Sequence, residues 1–197
     1  MSLLTEKYKN VKIVLASNSP RRQNLLRELG ITFEVAASAG IDESWPDGLN
    51  EKEIPVYLAE KKSFAFSGIP DDDTLLITAD TIVWCNGKVM GKPDGREDAI
   101  NTLRALSGCR HSVITGVCLR SRQRSVSFSS VTRVCFHSLS DEEITWYVDN
   151  CRPYDKAGAY GIQEWIGYIG VKSIKGSYFN VMGLPVDMLY KELLLFV

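Results

Sequence analysis

The sequence has only two histidines, and its five cysteines include no C-x-x-C pair. Cys85, Cys109, Cys118, Cys135 and Cys151 are widely spaced and odd in number, which argues against a disulfide framework or a zinc site and for a reducing cytoplasm. His111 and His137 lie in strand-like runs without metal-ligand spacing, so packing is the reading for both. Charge of one sign is missing too. Lys+Arg 23 against Asp+Glu 24 leaves a net charge of −1, without the clustered positive surplus that a broad nucleic-acid face needs. Met1 to Asn10 has no apolar core of signal-peptide length and no later run approaches a membrane span, so the chain reads as cytoplasmic, with no membrane partner. No internal repeat, low-complexity stretch or linker interrupts it. Residues 1–197 read as one domain, with 45% hydrophobic content to build a core.

What is present starts with Leu15-Ala16-Ser17-Asn18-Ser19-Pro20-Arg21-Arg22. Val11 to Ala16 reads as a buried strand, and the following helix has Ser19 as N-cap, Pro20 at its first position and Gly30 as its stop. Arg21 and Arg22 then sit in the first helical turn, where the helix dipole disfavours cations. An anion removes that conflict. Backbone N–H groups, the Ser17 and Ser19 hydroxyls and two guanidiniums make a polyphosphate cradle. The alternative is a surface turn with two solvated arginines.

Further along, Ile31 to Ala36 is strand-like and precedes a loop carrying the acidic pair Asp42-Glu43. Asn50 to Phe66 reads as a helix whose start is left open: Asn50 and Glu53 fit a capping box, but Pro55 lies too deep in the helix that box implies, so its reliable part is Val56 to Phe66, with Lys61 and Lys62. Pro70 to Asp73 is a turn and Thr74 to Trp84 a strand, in which Asp80 is either on an exposed alternate face or a partly buried carboxylate that needs a cation. Asn86-Gly87 turns the chain back towards Gly91-Lys92-Pro93, which places Lys92 near the sheet end holding Asp80. A helix spans Arg96 to Leu106; strands run from His111 to Leu119 and from Ser125 to Phe136 as an antiparallel pair; a capping box at Ser140 and Glu143 opens a helix to Asn150. Tyr154 to Gln163 is a small-residue loop, Tyr168 to Ile174 is strand-like, Gly176 to Gly183 is loop, and Leu184 to Phe196 is a closing helix. Taken together, these side chains suit phosphoryl chemistry: cations for a triphosphate, carboxylates for a divalent cation, and a base for water.

The fragments LASNSPRR, ITADT, GKP, LSG, DKAGAYGIQ and NVMGLP, in this order from about Lys12 to the C-terminus, resemble the Maf family. The resemblance implies a nucleoside triphosphate pyrophosphatase with an α/β fold like that of inosine triphosphate pyrophosphatases. Two lobes of an elongated mixed β-sheet, flanked by helices, would enclose a nucleotide cleft. It implies phosphate binding by Arg21 and Arg22, with Ser17 and Ser19 on the same loop, and Asp80 as proton acceptor, metal ligand or both. Glu43 would help Asp80 hold Mg²⁺ or Mn²⁺, and Lys62, rather than Lys61, would neutralise the triphosphate with Lys92. A homodimer is a further implication.

Arg21, Thr81 and Gln163 resemble the specificity set of the branch acting on dTTP and UTP; the branch acting on methylated GTP has an aromatic residue, Gln and Glu there. A Gln amide can both donate to a uracil or thymine carbonyl and accept from the imide N–H, whereas an ionised Glu only accepts. One departure stands beside it: Glu164-Trp165-Ile166-Gly167 is bulkier than the small residues expected after the specificity glutamine, so Trp165 either stacks near the cleft or covers a hydrophobic edge. The rival readings are an inosine or xanthosine triphosphate pyrophosphatase and a non-catalytic regulator of cell division.

Overall fold

The structure is a computed structural model that describes residues 3–37, 40–66 and 73–196. In chain order its elements are α1 (Leu3–Lys7), β1 (Lys12–Ala16), α2 (Pro20–Glu28), β2 (Glu34–Ala36), α3 (Glu53–Ala65), β3 (Thr74–Cys85), β4 (Lys88–Met90), α4 (Arg96–Leu106) and β5 (Arg110–Arg120). There follow β6 (Ser125–Phe136), α5 (Asp141–Cys151), α6 (Trp165–Gly170), β7 (Val171–Lys175), α7 (Tyr178–Met182) and α8 (Val186–Phe196). The class is α/β, as expected, with a mixed sheet ordered β2-β1-β3-β5-β6-β7 and β4 paired to β3. The chain folds as two compact units: Met1–Asp80, Thr115–Ser130 and Gly183–Val197 form the first, and Thr81–Ile114 and Val131–Met182 the second.

In the first unit, β1 pairs in parallel with β2 on one side and with the start of β3 on the other. Parallel strands are covered on both faces, which is why Ile13 to Ala16 and Leu75 to Asp80 read as nearly unbroken buried runs. Strands leaving β1 on opposite sides make a switch point at its carboxyl end, the usual ligand crevice of such sheets. Helix α3 packs closely here. A Cβ on Gly116 of β5 would lie 2.3 Å from the carbonyl carbon and oxygen of Pro55, so only glycine lets the helix backbone approach.

The core of the second unit joins Leu103 and Leu106 of α4, Phe136 of β6, Tyr147 and Val148 of α5 and Ile166 of α6. His111 is part of this packing. Its ring meets Phe136 and Tyr160 edge-on, at centroid distances of 5.0 and 5.5 Å, and Nε2 lies 2.8 Å from the Tyr160 hydroxyl. Burial pushes its pKa down to about 4. The five cysteines are free thiols, and no helix among the described residues is long and apolar enough to cross a membrane.

Several local expectations need correction. Helix α3 starts at Glu53, between the two starts that Asn50 and Pro55 leave open. The Asn50–Glu53 box does form, Asn50 N–H donating to Glu53 Oε2 at 2.9 Å and Glu53 N–H to Asn50 Oδ1 at 3.2 Å. A turn at residues 51–52 separates cap from helix, so Pro55 is the third helical residue, where no intrahelical N–H bond is needed. The strand expected from Ile31 pairs only from Glu34 onwards, because Ile31 turns into the core and Phe33 lies under the Arg27 guanidinium. The strand expected over Tyr168 to Ile174 forms from Val171, as β7, while Tyr168 to Gly170 close helix α6, a choice that a short apolar run leaves open. The stretch Gly176 to Gly183 contains α7, capped by the Ser177 hydroxyl, which accepts from Asn180 N–H at 3.4 Å. The turn expected at Pro70 to Asp73 lies, but for Asp73, outside the described residues.

Two stability measurements check this packing. Gly116→Ala is expected to lower the urea-unfolding free energy by at least about 1–3 kcal/mol, as overpacking against backbone does. For His111 the folded-state pKa, about 4, lies below its ordinary value of 6.5. The unfolded chain therefore binds the proton first as the pH falls. Stability is complete above pH 6.5 and declines by about 3 kcal/mol towards pH 4. His111→Gln should flatten that slope.

Candidate active site

The carboxyl end of β1 leads into the loop Ser17–Ser19 and then α2. Ser19 caps the helix with its hydroxyl, which accepts from Arg22 N–H at 3.4 Å, and Pro20 opens the first turn. Buried Ser17 accepts from Ser19 N–H at 3.3 Å, and Gln23 Nε2 donates to the Ser17 carbonyl at 3.0 Å. The loop is therefore held from inside by its own serines and by Gln23.

Arg22 does not swing freely above it. Its Nε donates to the Gly183 carbonyl and a terminal nitrogen to the Ala79 carbonyl, each at 2.8 Å, so the guanidinium is anchored between β3 and the chain entering α8. Burial pulls its pKa below the ordinary arginine value; Asp80 opposes that, Arg21 adds to it, and Glu43 opposes it again.

Asp80 is the partly buried carboxylate of the two alternatives, at 7% exposure. Thr78 and Asp80, two residues apart on β3, point to the same face, and Ala59 and Lys62, three apart on α3, point back at them. Thr78 Oγ1 donates to the Ala59 carbonyl at 2.7 Å, and Lys62 Nζ donates to Asp80 Oδ1. The same ammonium pairs with Glu43 Oε1 at 2.8 Å. Its neighbour Lys61 turns outward, donating to the Ser44 carbonyl at 3.2 Å and lying 3.7 Å from Asp42. Ser44 hydrogen bonds to Asp42 and depresses its carboxyl pKa. Consecutive lysines of one helix thus fasten the 42–44 loop, and Lys62 is the one that turns inward.

The second unit holds the remaining expected residues. Thr81 follows Asp80 in β3, Lys92 lies in the exposed loop between β4 and α4, and Gln163 precedes α6. The Gln163 Oε1 atom is buried without a hydrogen-bond partner among the described residues. Trp165 stacks on Trp146 of α5 at a centroid distance of 4.5 Å and covers that helix face. Beside Gln163 lies a set that sequence reasoning missed: Tyr147, Lys156 and Glu164 are joined by hydrogen bonds and an ion pair. The only signal for it was Glu164, unexpected after Gln163.

Asp80 and Glu43 direct two carboxylate oxygens at one cationic point. That donor set fits a hard divalent cation such as Mg²⁺, which takes one or two protein carboxylates and leaves its other positions to phosphate and water. Among the described residues no group of three or more His, Cys, Asp and Glu side chains forms a metal site by itself.

Fold and site define a class: an α/β protein with a serine- and arginine-bearing loop after a parallel strand and an Asp80–Lys62–Glu43 ion cluster in the same unit. Residues 12–196 match the Maf family, described as Maf-like protein. The chain belongs to that family. A protein of Parabacteroides distasonis named dTTP/UTP pyrophosphatase is 58% identical over 190 residues, covering 96% of this chain and 98% of its own length. Proteins of the same name from Bacteroides fragilis and Porphyromonas gingivalis are 56% and 52% identical over 182 and 192 residues, covering 92% and 96% of this chain and 94% and 96% of their own. A HAM1 protein of Coxiella burnetii overlays with a TM-score of 0.41 at 17% identity, covering 64% of this chain and 73% of its own.

Removing the shared ammonium tests the cluster. Lys62→Met is expected to lower the unfolding free energy by about 3 kcal/mol, since Asp80 keeps a buried charge without its partner. A loss under about 1 kcal/mol in urea titration would show that Lys62 does not hold Asp80 and Glu43.

Proposed function

We propose that this chain is a nucleoside triphosphate pyrophosphatase that hydrolyses dTTP and UTP to the nucleoside monophosphate and pyrophosphate. The observation that carries the reading is the Asp80–Lys62–Glu43 cluster beside the arginine-bearing loop, two carboxylates and a cation where a polyphosphate finds its donors. The names of its close relatives support the same activity.

On this reading the Ser17–Ser19 loop, Arg21 and Arg22 bind phosphate oxygens, and Lys62 and Lys92 neutralise the triphosphate charge. Two backbone carbonyls fix the orientation of the Arg22 guanidinium. Asp80 accepts the proton of the attacking water. To do so it must be released from Lys62, and phosphate oxygens are the competing partners for that ammonium. Asp80 and Glu43 would hold Mg²⁺ or Mn²⁺, which when bound supplies positive charge to the phosphates.

Base choice rests on Arg21, Thr81 and Gln163. The Gln163 Oε1 atom is an acceptor without a donor among the described residues, and the imide N–H of uracil or thymine is a donor of the right kind. Cytosine offers an acceptor at that ring position, so it leaves the glutamine oxygen unsatisfied.

The test is pyrophosphate release from dTTP, UTP, CTP, GTP, ITP and 7-methyl-GTP, with Mg²⁺ or Mn²⁺ and again with chelator. Turnover of dTTP and UTP that stops on chelation is the expected result. Preference for ITP would transfer the reading to a purine-clearing enzyme, and turnover of no nucleotide would overturn catalysis.

A further inference from the structure

Gln163 carries a buried oxygen without a hydrogen-bond partner among the described residues, an acceptor placed to take a donor. Something must keep the side chain there rather than let the loop relax. The loop spans the end of α5 to the start of α6, and three buried or half-buried polar groups close it.

Lys156, only 8% exposed, donates from Nζ to Asp155 Oδ1 at 2.7 Å and pairs with Glu164 Oε1 at 3.1 Å. The other Glu164 oxygen, Oε2, accepts from the hydroxyl of Tyr147, a side chain wholly inside the core. That hydroxyl in turn accepts from Gly161 N–H at 3.1 Å. The residues before and after Gln163 are thus tied to one tyrosine. Burial, followed by the hydrogen bond to Glu164, raises the Tyr147 pKa, so the hydroxyl remains a donor at neutral pH.

The backbone inside this ring has no slack. Glu164 N–H donates to the Gly161 carbonyl at 3.0 Å and Gly167 N–H to the Glu164 carbonyl at 2.8 Å. A Cβ on Gly161 would lie 2.7 Å from the Glu164 carboxyl carbon, and one on Gly167 would lie 1.8 Å from the Ile162 carbonyl oxygen. Backbone passes too close to Gly167 for any side chain there, and a side chain at Gly161 would have to displace the Glu164 carboxylate from the ring. Ile162 is itself buried in the core of the second unit.

We propose that Tyr147, Lys156 and Glu164 are positioning residues that set the Gln163 amide for the base, and so determine nucleotide specificity without touching the nucleotide. This rests on the base-recognition role given to Gln163 above. It also accounts for the larger residues after the glutamine: Glu164 closes the ring and Trp165 seats the following helix on Trp146.

The test uses the full chain carrying Tyr147→Phe, which keeps the packed ring and removes the hydroxyl, and separately Glu164→Gln and Lys156→Met. For each, kcat and KM are measured with dTTP, UTP and ITP at a temperature where the variant is fully folded. The expected result is a rise in KM for dTTP and UTP of about tenfold with kcat within about twofold, and a matching fall in discrimination against ITP. Lys156→Arg, which keeps the charge, should recover most of the affinity lost in Lys156→Met. Equal losses for every nucleotide, or no change in KM, would overturn the positioning role. If the unaltered chain prefers a purine triphosphate, the pyrimidine reading falls; a KM rise confined to that preferred nucleotide would still support positioning, and an unselective loss would still overturn it.

Discussion

The ammonium of Lys62 is the point on which the first unit turns. Asp80 is nearly buried, and a buried carboxylate is tolerated only with a counter-charge and hydrogen bonds. Lys62 supplies both, and by reaching Glu43 as well it draws an exposed loop onto the same helix. The strand period of two and the helix period of three to four make this inevitable once α3 crosses β3: the Thr78–Ala59 bond and the Asp80–Lys62 pair are successive rungs of one interface. Gly116 permits the approach by leaving room for the backbone at Pro55. On the proposed reading the resting ion cluster and the working site use the same charges. Phosphate competes for the ammonium and a divalent cation for the carboxylates, so each partner that leaves is replaced by one of its own sign.

Arg22 shows a second kind of constraint. Two backbone carbonyls, from Ala79 just before Asp80 and from Gly183 just before α8, fix a guanidinium in a half-buried position. Its charge is then partly dehydrated and close to that of Arg21. On the proposed reading a phosphate oxygen adds a further counter-charge to a guanidinium whose orientation is already set. In the second unit Gln163 places a neutral group in the same way: a buried acceptor, without a partner among the described residues, is held by surrounding glycines and polar contacts. On the proposed reading both are groups whose orientation is set before the nucleotide binds.

Most of the fold was legible in local chemistry. The β1–loop–α2 unit followed from Ser19, Pro20 and Gly30; the β3–β4 hairpin from Asn86-Gly87, whose φ values of 50° and 80° are those of a two-residue primed turn; and α5 from the Ser140–Glu143 box. What could not be read depended on contacts distant in sequence. The apolar run at Trp165–Gly170 is helical because Gly167 fits under the Ile162 carbonyl and Trp165 finds Trp146, neither of which periodicity reveals. Of the site, Asp80 stood out as an acid in an apolar strand. That Lys62 rather than Lys61 reaches it is a matter of helical phase against Thr78 and Ala59. The Tyr147–Glu164–Lys156 set carried almost no signal, since its members lie in three different contexts and only the tertiary fold makes them neighbours.

The central claim is that Asp80, once Lys62 turns to phosphate, takes the proton from the attacking water. The most direct measurement pairs turnover of dTTP with calorimetric dTTP binding in Asp80→Asn, which keeps shape and removes the base. A positioned general base is worth about 10²- to 10⁴-fold in rate, so kcat should fall by that factor while the dissociation constant stays within a few-fold. Near-normal turnover, or a loss that appears only as weaker binding, would contradict the account.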